Sequence, residues 1–327
     1  MIRRSEQAET LKLHPKIVPL AKKLEFVTVP DLTTGGAFDV ALQDVEAVLH
    51  IASPLDKEVR QLTSNNSKIC SWDYQSDDYD RDIISPAVNM CTSLLASALN
   101  FPSIKRVVIT SSMVTLIPFS WLSNPNTHAI YTAADINTDP KRSVSSSVEA
   151  YWSSKALARS AVHSFIKAHS PHFQTIQILP SVVTGPDDRA FSVQDLRAKT
   201  PLWELKLSPI LGIKQAYPLV GVPIDVADVA RAHVDALQDF VPGNRDYIMA
   251  TGYPEGVIWE DMVEVAERKF GDRCGGPSLP LGGTLPTTKF RVDCEETESV
   301  FGWKFRSFED SVERAIGQYL DFLRDHK

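Results

Sequence analysis

Short apolar runs alternate with segments of helical periodicity along most of the chain. The runs that indicate buried strands are residues 45–51, 106–112, 175–179 and 247–250. The segments that indicate helices are residues 87–99, 148–169, 225–238, 259–270 and 307–324. Strands that alternate with helices in this way are typical of βαβ units. The pattern therefore predicts an α/β fold with a parallel sheet flanked by helices.

Three further segments are less regular. Residues 24–29 have the alternation of a strand, and the polar residues 57–81 predict a long surface loop or the start of a helix. Residues 118–147 and 271–286 are rich in turn-forming residues and predict irregular structure. No internal repeat is present.

The size of the chain favours one large core. With 327 residues, of which 43% are hydrophobic, the chain can bury a single α/β unit with an appended lobe. We expect a core in residues 1–180 and a small substrate-binding lobe in residues 181–327, with the late strands returning to the core.

Charge and cysteine spacing exclude several classes of partner. A net charge of −7 with mixed signs argues against binding to nucleic acid or to an anionic membrane surface. No apolar run is long enough to span a bilayer, and the first residues lack the apolar stretch of a secretion signal. Cys70, Cys91, Cys274 and Cys294 lack metal-ligand spacing, so we expect reduced thiols, no metal and a soluble cytoplasmic protein.

A candidate acid–base group lies on the helix at residues 148–169. Tyr151 and Lys155 are four residues apart, which places them on one face of that helix. The ammonium of Lys155 would stabilise a phenolate and so make Tyr151 a proton donor near neutral pH. Ser112 follows the strand at residues 106–112 and could hydrogen-bond a carbonyl oxygen. These three residues are the predicted catalytic group.

Other residues are candidates for contact with a substrate. His50 and Ser53 lie at the carboxyl end of a predicted strand, the edge at which open α/β sheets bind ligands. Apolar and aromatic side chains are candidate walls of a pocket. They are Met113, Tyr131, Trp152, Phe191 and Trp203.

The order of these motifs resembles a known family. Residues 48–54, 106–112, 151–155, 179–186, 226–233 and 301–308 together resemble the extended short-chain dehydrogenases/reductases. The similarity covers nearly the whole chain and is strongest to the branch of dihydroflavonol reductases, cinnamoyl-CoA reductases and fungal carbonyl reductases. It implies that Ser112, Tyr151 and Lys155 form the catalytic triad, and that Pro180 and Val183 lie in the loop that covers the nicotinamide.

The sequence departs from that family at the cofactor motif. Relatives carry a glycine-rich turn after their first strand, which binds the pyrophosphate. Here the early glycines are only Gly35 and Gly36, and Arg3 and Arg4 match the arginines that follow the second strand of relatives. We therefore expect a Rossmann-like sheet truncated in its amino-terminal half, in which residues 24–29 either pair with residues 45–51 or are separated from them by a gap. An exposed sheet edge favours a homodimer.

Three functions follow from these observations. The first, which the missing phosphate motif favours, is acid–base chemistry without a cofactor on a carbonyl or enol of a small specialised metabolite: isomerisation, dehydration or cyclisation. The second is an NADPH-dependent carbonyl reductase with an atypical cofactor site that includes Arg3 and Arg4. The third is a non-catalytic protein that binds a small ligand.

Overall fold

The computed structural model describes residues 1–53, 76–200 and 202–324. Its strands are β1 (Ala47–His50), β2 (Arg106–Thr110), β3 (Ile130–Tyr131), β4 (Gln174–Pro180), β5 (Val182–Thr184), β6 (Leu219–Val220), β7 (Pro223–Asp225), β8 (Arg245–Met249), β9 (Thr287–Thr288) and β10 (Arg291–Val292). Its α-helices are α1 (Ser5–Lys12), α2 (Ser85–Ala98), α3 (Ser147–His169), α4 (Val193–Lys199), α5 (Trp203–Lys206), α6 (Val226–Asp235), α7 (Met262–Phe270), α8 (Glu295–Phe301) and α9 (Phe308–Arg324).

A four-stranded parallel sheet forms the centre of the fold. Its strand order is β1–β2–β4–β8, and each neighbouring pair is parallel. The middle strands are rich in β-branched residues and buried on both faces, as strands of parallel sheets are. The predicted α/β class with a parallel sheet flanked by helices is confirmed.

Helices cover both faces of this sheet. Along β2, Val107 and Ile109 pack with α2 and α3 on one face, whereas Val108 packs with α6 and α8 on the other. This alternation follows from the two-residue period of a strand. Helix α3 packs closely on α2 because its inward residues are small, including Ser153 and Ala158.

A second hydrophobic core lies in the carboxy-terminal half of the chain. It is built on α4, α5, α7 and α9 and includes Trp203, Trp259 and Ile316. By contrast α6, β8 and α8 return to the central sheet. The division into residues 1–180 and 181–327 stays a prediction.

Residues 24–29 do not form the predicted strand. Thr28 makes an isolated parallel bridge with Ile2, through hydrogen bonds from the Ile2 N–H to the Val27 carbonyl (2.9 Å) and from the Val29 N–H to the Ile2 carbonyl (2.8 Å). A strand needs a neighbour for its backbone groups, and among the described residues only Ile2 supplies one. Of the two outcomes expected for this segment, direct pairing with β1 does not occur.

The remaining irregular segments differ in part from expectation. Residues 118–147 contain the 3₁₀ turn Phe119–Leu122 and the short strand β3, which pairs with β10. A short π-helical segment, Asp80–Ile84, leads into α2. The predicted loop at residues 57–81 and Cys70 lie outside the described residues, apart from residues 76–81. In the part of the chain that the structure describes, we find no helix with both the length and the apolar character needed to cross a membrane.

Candidate active site

Ser112 lies just beyond the carboxyl end of β2. It is buried and caps the 3₁₀ turn Met113–Leu116, where its side-chain oxygen accepts a hydrogen bond from the Val114 N–H at 3.3 Å. Its carbonyl oxygen accepts a hydrogen bond from the Thr115 hydroxyl at 2.8 Å. The serine is therefore held at the edge of the sheet that binds ligands in open α/β folds.

Tyr151 and Lys155 lie one turn apart in the first half of α3. The Lys155 Nζ donates a long hydrogen bond to the Thr110 carbonyl at 3.5 Å and lies 6.0 Å from the centroid of the Tyr151 ring. Helix α3 packs against the turn that begins at Ser112. The structure thus brings the three predicted catalytic residues to one edge of the sheet.

A small cavity opens beside Lys155. Its lining includes Ser53, Ser111, Cys91 and Gln177. Burial raises the pKa of the Cys91 thiol to about 11, against the opposing effect of the Lys155 charge. The thiol is therefore protonated at neutral pH. The cavity lining then carries two cations, Lys155 and Arg159, among neutral groups.

His50 ends β1 and is buried. Its Nε2 has no hydrogen-bond partner among the described residues, and its ring meets the Phe38 ring edge-on at 6.2 Å. Burial and, to a lesser extent, the charge of Lys155 lower the pKa of His50 to about 4. The imidazole is thus neutral at neutral pH and leaves one nitrogen unsatisfied at the sheet edge where ligands bind.

The burial of His50 predicts a pH dependence of stability. The unfolded chain takes up a proton near the ordinary value of 6.5, whereas the folded chain does so only near a pKa of about 4. The contribution of the neutral His50 to the free energy of unfolding is therefore fully present above pH 6.5. It is lost as the pH falls toward 4, and the loss amounts to about 3 kcal/mol. Urea unfolding of the wild type and His50→Gln across this range measures the effect.

We expect His50→Gln to be less sensitive to acid than the wild type, because glutamine does not titrate. His128→Gln is the matched control, since His128 is exposed and an exposed imidazole is in contact with water in both states. Parallel pH profiles for the wild type and His50→Gln would contradict the expectation.

Three of the predicted pocket walls lie together. Met113 is buried in a cluster against which Tyr131 and Trp152 also pack. The Tyr131 hydroxyl accepts a hydrogen bond from the Trp121 Nε1 at 3.1 Å, and the Trp152 Nε1 donates to the Ile117 carbonyl at 3.2 Å. These contacts fix two aromatic rings next to the segment that carries Ser112.

Pro180 and Val183 lie where β4 leaves the sheet. Pro180 ends β4 beside Met249, and Val183 belongs to β5, which pairs with β7. The Val183 carbonyl accepts a hydrogen bond from the Lys206 Nζ at 2.8 Å. Burial lowers the pKa of Lys206 to about 8. Lys206, which sequence reasoning missed, ties this loop to the carboxy-terminal half of the chain.

Two other predicted walls do not join this group. Phe191 is 54% exposed and packs against His14, with ring centroids 5.5 Å apart. Trp203 is buried in the second core, where it contacts Tyr319 and lines a cavity with Lys206. An aromatic side chain indicates burial or contact but does not tell which of two cores it enters, so the sequence could not separate these residues from the site.

Arg159 was also missed from the sequence. It lies one turn beyond Lys155 on α3, is 1% exposed and lines the same cavity. A signal was present, because Tyr151, Lys155 and Arg159 recur every four residues and so share one stripe of the helix.

The sheet, the serine at the end of β2 and the Tyr–Lys helix define a Rossmann-like α/β protein with a candidate acid–base site. No family model matches the chain. Ketoreductase CTB6 of Cercospora beticola is 31% identical over 305 residues, which cover 91% of this chain and 80% of that protein. The NAD-dependent epimerase/dehydratase ALT6 of Alternaria alternata is 33% identical over 261 residues, with 76% and 68% covered.

These relatives show that the chain belongs to the extended short-chain dehydrogenase/reductase superfamily. A solved structure agrees with this fold. Gre2 from Candida albicans, in complex with NADPH, superposes with a TM-score of 0.75 at 24% identity and covers 98% of this chain and 90% of its own.

The prediction that the chain uses no cofactor is wrong. A relative named as a putative NADPH-dependent methylglyoxal reductase, GRP2 of Candida albicans, is 26% identical over 339 residues, which cover 98% of this chain and 90% of that protein, and the Gre2 structure is a complex with NADPH. The prediction rested on the absence of a glycine-rich turn.

Proposed function

We propose that the chain is a carbonyl reductase that uses NADPH to convert a small apolar ketone or aldehyde into an alcohol. The observation that carries the proposal is the position of Lys155, whose Nζ lies between the Thr110 carbonyl and the Tyr151 ring beside the Ser112 turn. A proton donor, a cation and an oxyanion donor thus share one edge of the sheet. The relative named as a ketoreductase supports the same activity.

The residues around Lys155 fit the nicotinamide end of the cofactor. Lys155 and Ser53 line one cavity, and His50 leaves a buried nitrogen unsatisfied at the adjacent strand end. Such polar groups suit a ribose and a carboxamide, which carry both donors and acceptors. The pyrophosphate end has no matching turn, because no two glycines of the sequence are separated by a single residue. The proposal therefore names Lys155, Ser53 and His50 as the residues that hold the nicotinamide end.

When bound, NADPH supplies the hydride that the carbonyl carbon takes up. The Tyr151 hydroxyl gives its proton to the carbonyl oxygen, so that the carbon–oxygen double bond becomes a single bond and new C–H and O–H bonds form. The Lys155 ammonium stabilises the phenolate that remains, which then recovers a proton from water. The Ser112 hydroxyl donates to the carbonyl oxygen while negative charge develops on it.

The pocket walls favour an apolar substrate. Met113, Tyr131 and Trp152 supply thioether and aromatic surface, and the two rings are held by their own hydrogen bonds. Apolar walls bind an aryl or alkyl ketone better than a charged keto acid, because a carboxylate there would lose its water.

The test is NADPH consumption with a panel of an aryl ketone, an alkyl ketone and a charged keto acid, each with chromatographic detection of the alcohol. We expect turnover of the aryl ketone to exceed that of the keto acid at least about tenfold. Phe191→Leu is the control for aromatic loss away from the site, since Phe191 is a surface residue. Binding of ketones without any alcohol formed would support a non-catalytic binder and contradict the proposal.

We also propose that two chains form a homodimer. Among the described residues β1 pairs with a strand on one side only, and the segment before it exposes several apolar side chains. They include Leu11, Leu13, Val18, Leu20 and Leu24. Unpaired strand edges and exposed apolar surface both favour association. Light scattering that gives the monomer mass of 36.3 kDa at every concentration would contradict this part of the proposal.

A further inference from the structure

Arg159 is the most completely buried charged residue next to the site, and the mechanism above does not use it. Its guanidinium is 1% exposed and forms an ion pair with Asp246 of β8, from Nε to Oδ2 at 2.7 Å. A single carboxylate satisfies only part of a group with five N–H donors. The hydrogen bonds of the remaining donors therefore show which other segments this arginine contacts.

Those donors reach two segments on the substrate side of the site. One terminal nitrogen donates to the Thr115 hydroxyl at 3.1 Å and to the Asp135 carbonyl at 2.8 Å. The other donates to the Ala133 carbonyl at 2.5 Å. Residues 133–135 follow Tyr131, so Arg159 fixes the loop next to one of the predicted pocket walls.

Thr115 links Arg159 to Ser112 through two hydrogen bonds of its hydroxyl group. Its hydroxyl accepts from Arg159 and has one proton of its own, which it donates to the Ser112 carbonyl at 2.8 Å. Thr115 is fully buried, and its own carbonyl accepts from the Asn137 N–H at 2.8 Å. A continuous chain of hydrogen bonds thus runs from the guanidinium to the backbone of Ser112, and a charged donor strengthens such a chain.

We propose that Arg159 is a positioning residue, which acts through Thr115 to hold Ser112 against the helix that carries Tyr151 and Lys155. The five residues belong to two segments that are distant in sequence, and the guanidinium is one of the groups that join these segments. Correct placement of an oxyanion donor matters because displacement by about 1 Å can cost up to about 100-fold in rate. This inference rests on the proposed reductase activity.

A double-mutant cycle tests it. Thr115→Val removes the hydroxyl with little change of shape, and we expect kcat and kcat/KM to fall together, about tenfold, because the loss lies in the transition state. In the Ser112→Ala chain, the same Thr115→Val substitution should cost no further activity, since it acts through Ser112. Equal losses in the two backgrounds, or no loss in the wild type, would overturn the proposal.

Thr175→Val is the matched control. Thr175 is also buried, but its hydroxyl bonds to Asn244 at the amino-terminal end of β4, at the other edge of the sheet. We expect it to leave kcat unchanged while it removes a comparable buried hydroxyl. A fall in kcat as large as that of Thr115→Val would make the effect one of general stability and count against the proposal.

Arg159→Lys supplies a second variant and a readout that does not depend on turnover. It keeps a cation opposite Asp246 but lacks the planar fork that reaches Thr115 and the loop. We expect faster amide hydrogen exchange in residues 112–116 and 133–137, measured by mass spectrometry, with the rest of α3 unchanged. If the wild type reduces no carbonyl, the proposed function fails, and unchanged exchange in these segments would separately overturn the positioning role.

Discussion

Tyr151→Phe is expected to lower the turnover of a ketone by about 10²–10⁴-fold and to leave the fold intact. The substitution removes one hydroxyl, the proton donor in the proposed reaction, and keeps the ring that faces Lys155. The reaction would then have to take its proton from water that happens to enter the site. Steady-state kinetics with the best ketone of the panel, together with circular dichroism, measures both parts of the expectation.

Two further variants make the result specific. Tyr217→Phe removes the hydroxyl of a tyrosine that is 78% exposed, and we expect the wild-type rate from it. Lys155→Ala should lose nearly as much activity as Tyr151→Phe, because the phenolate then lacks its cation. If Tyr151→Phe turns over the ketone at the wild-type rate, the arrangement of the three residues is not catalytic, and the pocket acts through other groups.

The long elements could be predicted from the sequence. A hydrophobic period that repeats over many residues is compatible with only one type of secondary structure. Helix α3 begins and ends within one residue of its predicted bounds, and β2 and β4 are buried apolar runs with a helix on either side. The strands that were not predicted span two or three residues, as β3 and β10 do. Such short pairs carry no period and form only because the rest of the fold brings them together.

The candidate site also includes residues whose positions could be predicted from the sequence and residues whose positions could not. That Ser112, Tyr151 and Lys155 lie at one edge of the sheet could be predicted, because Ser112 follows the end of β2 and the other two share one face of the regular helix α3, whereas their catalytic role stays a prediction. The positions of Phe191 and Trp203 could not be predicted, because they depend on how the carboxy-terminal half packs. The strand expected at residues 24–29 failed for a related reason, since a strand exists only where a neighbour accepts its hydrogen bonds.

The cofactor prediction failed because it drew a chemical conclusion from a missing motif. The groups proposed to act on the carbonyl, Tyr151 and Ser112, and the Lys155 cation that supports Tyr151 belong to segments far along the chain from Gly35 and Gly36. A pyrophosphate contact contributes to binding, whereas the acid, the cation and the oxyanion donor determine what reaction the site can perform.

Arg159→Met is expected to destabilise the folded chain by about 3–5 kcal/mol at neutral pH. The side chain of Asp246 is 7% exposed and would lose its main cation, while the Gln177 amide at 3.2 Å and the His163 ring at 2.9 Å would remain. The Thr115 hydroxyl and the carbonyls of Ala133 and Asp135 would each lose a donor as well. Urea unfolding followed by circular dichroism gives the free energy directly.

The variant Arg197→Met distinguishes this burial effect from the loss of any ion pair. Arg197 pairs with Glu204 at 2.8 Å, but their side chains are 55% and 36% exposed, so we expect a cost below about 1 kcal/mol. Adding Asp246→Asn to Arg159→Met should recover part of the loss, because the stranded negative charge is then gone. If the two arginine variants unfold at the same urea concentration, water solvates Asp246 in the folded chain, and the Arg159 ion pair contributes no more than a surface pair.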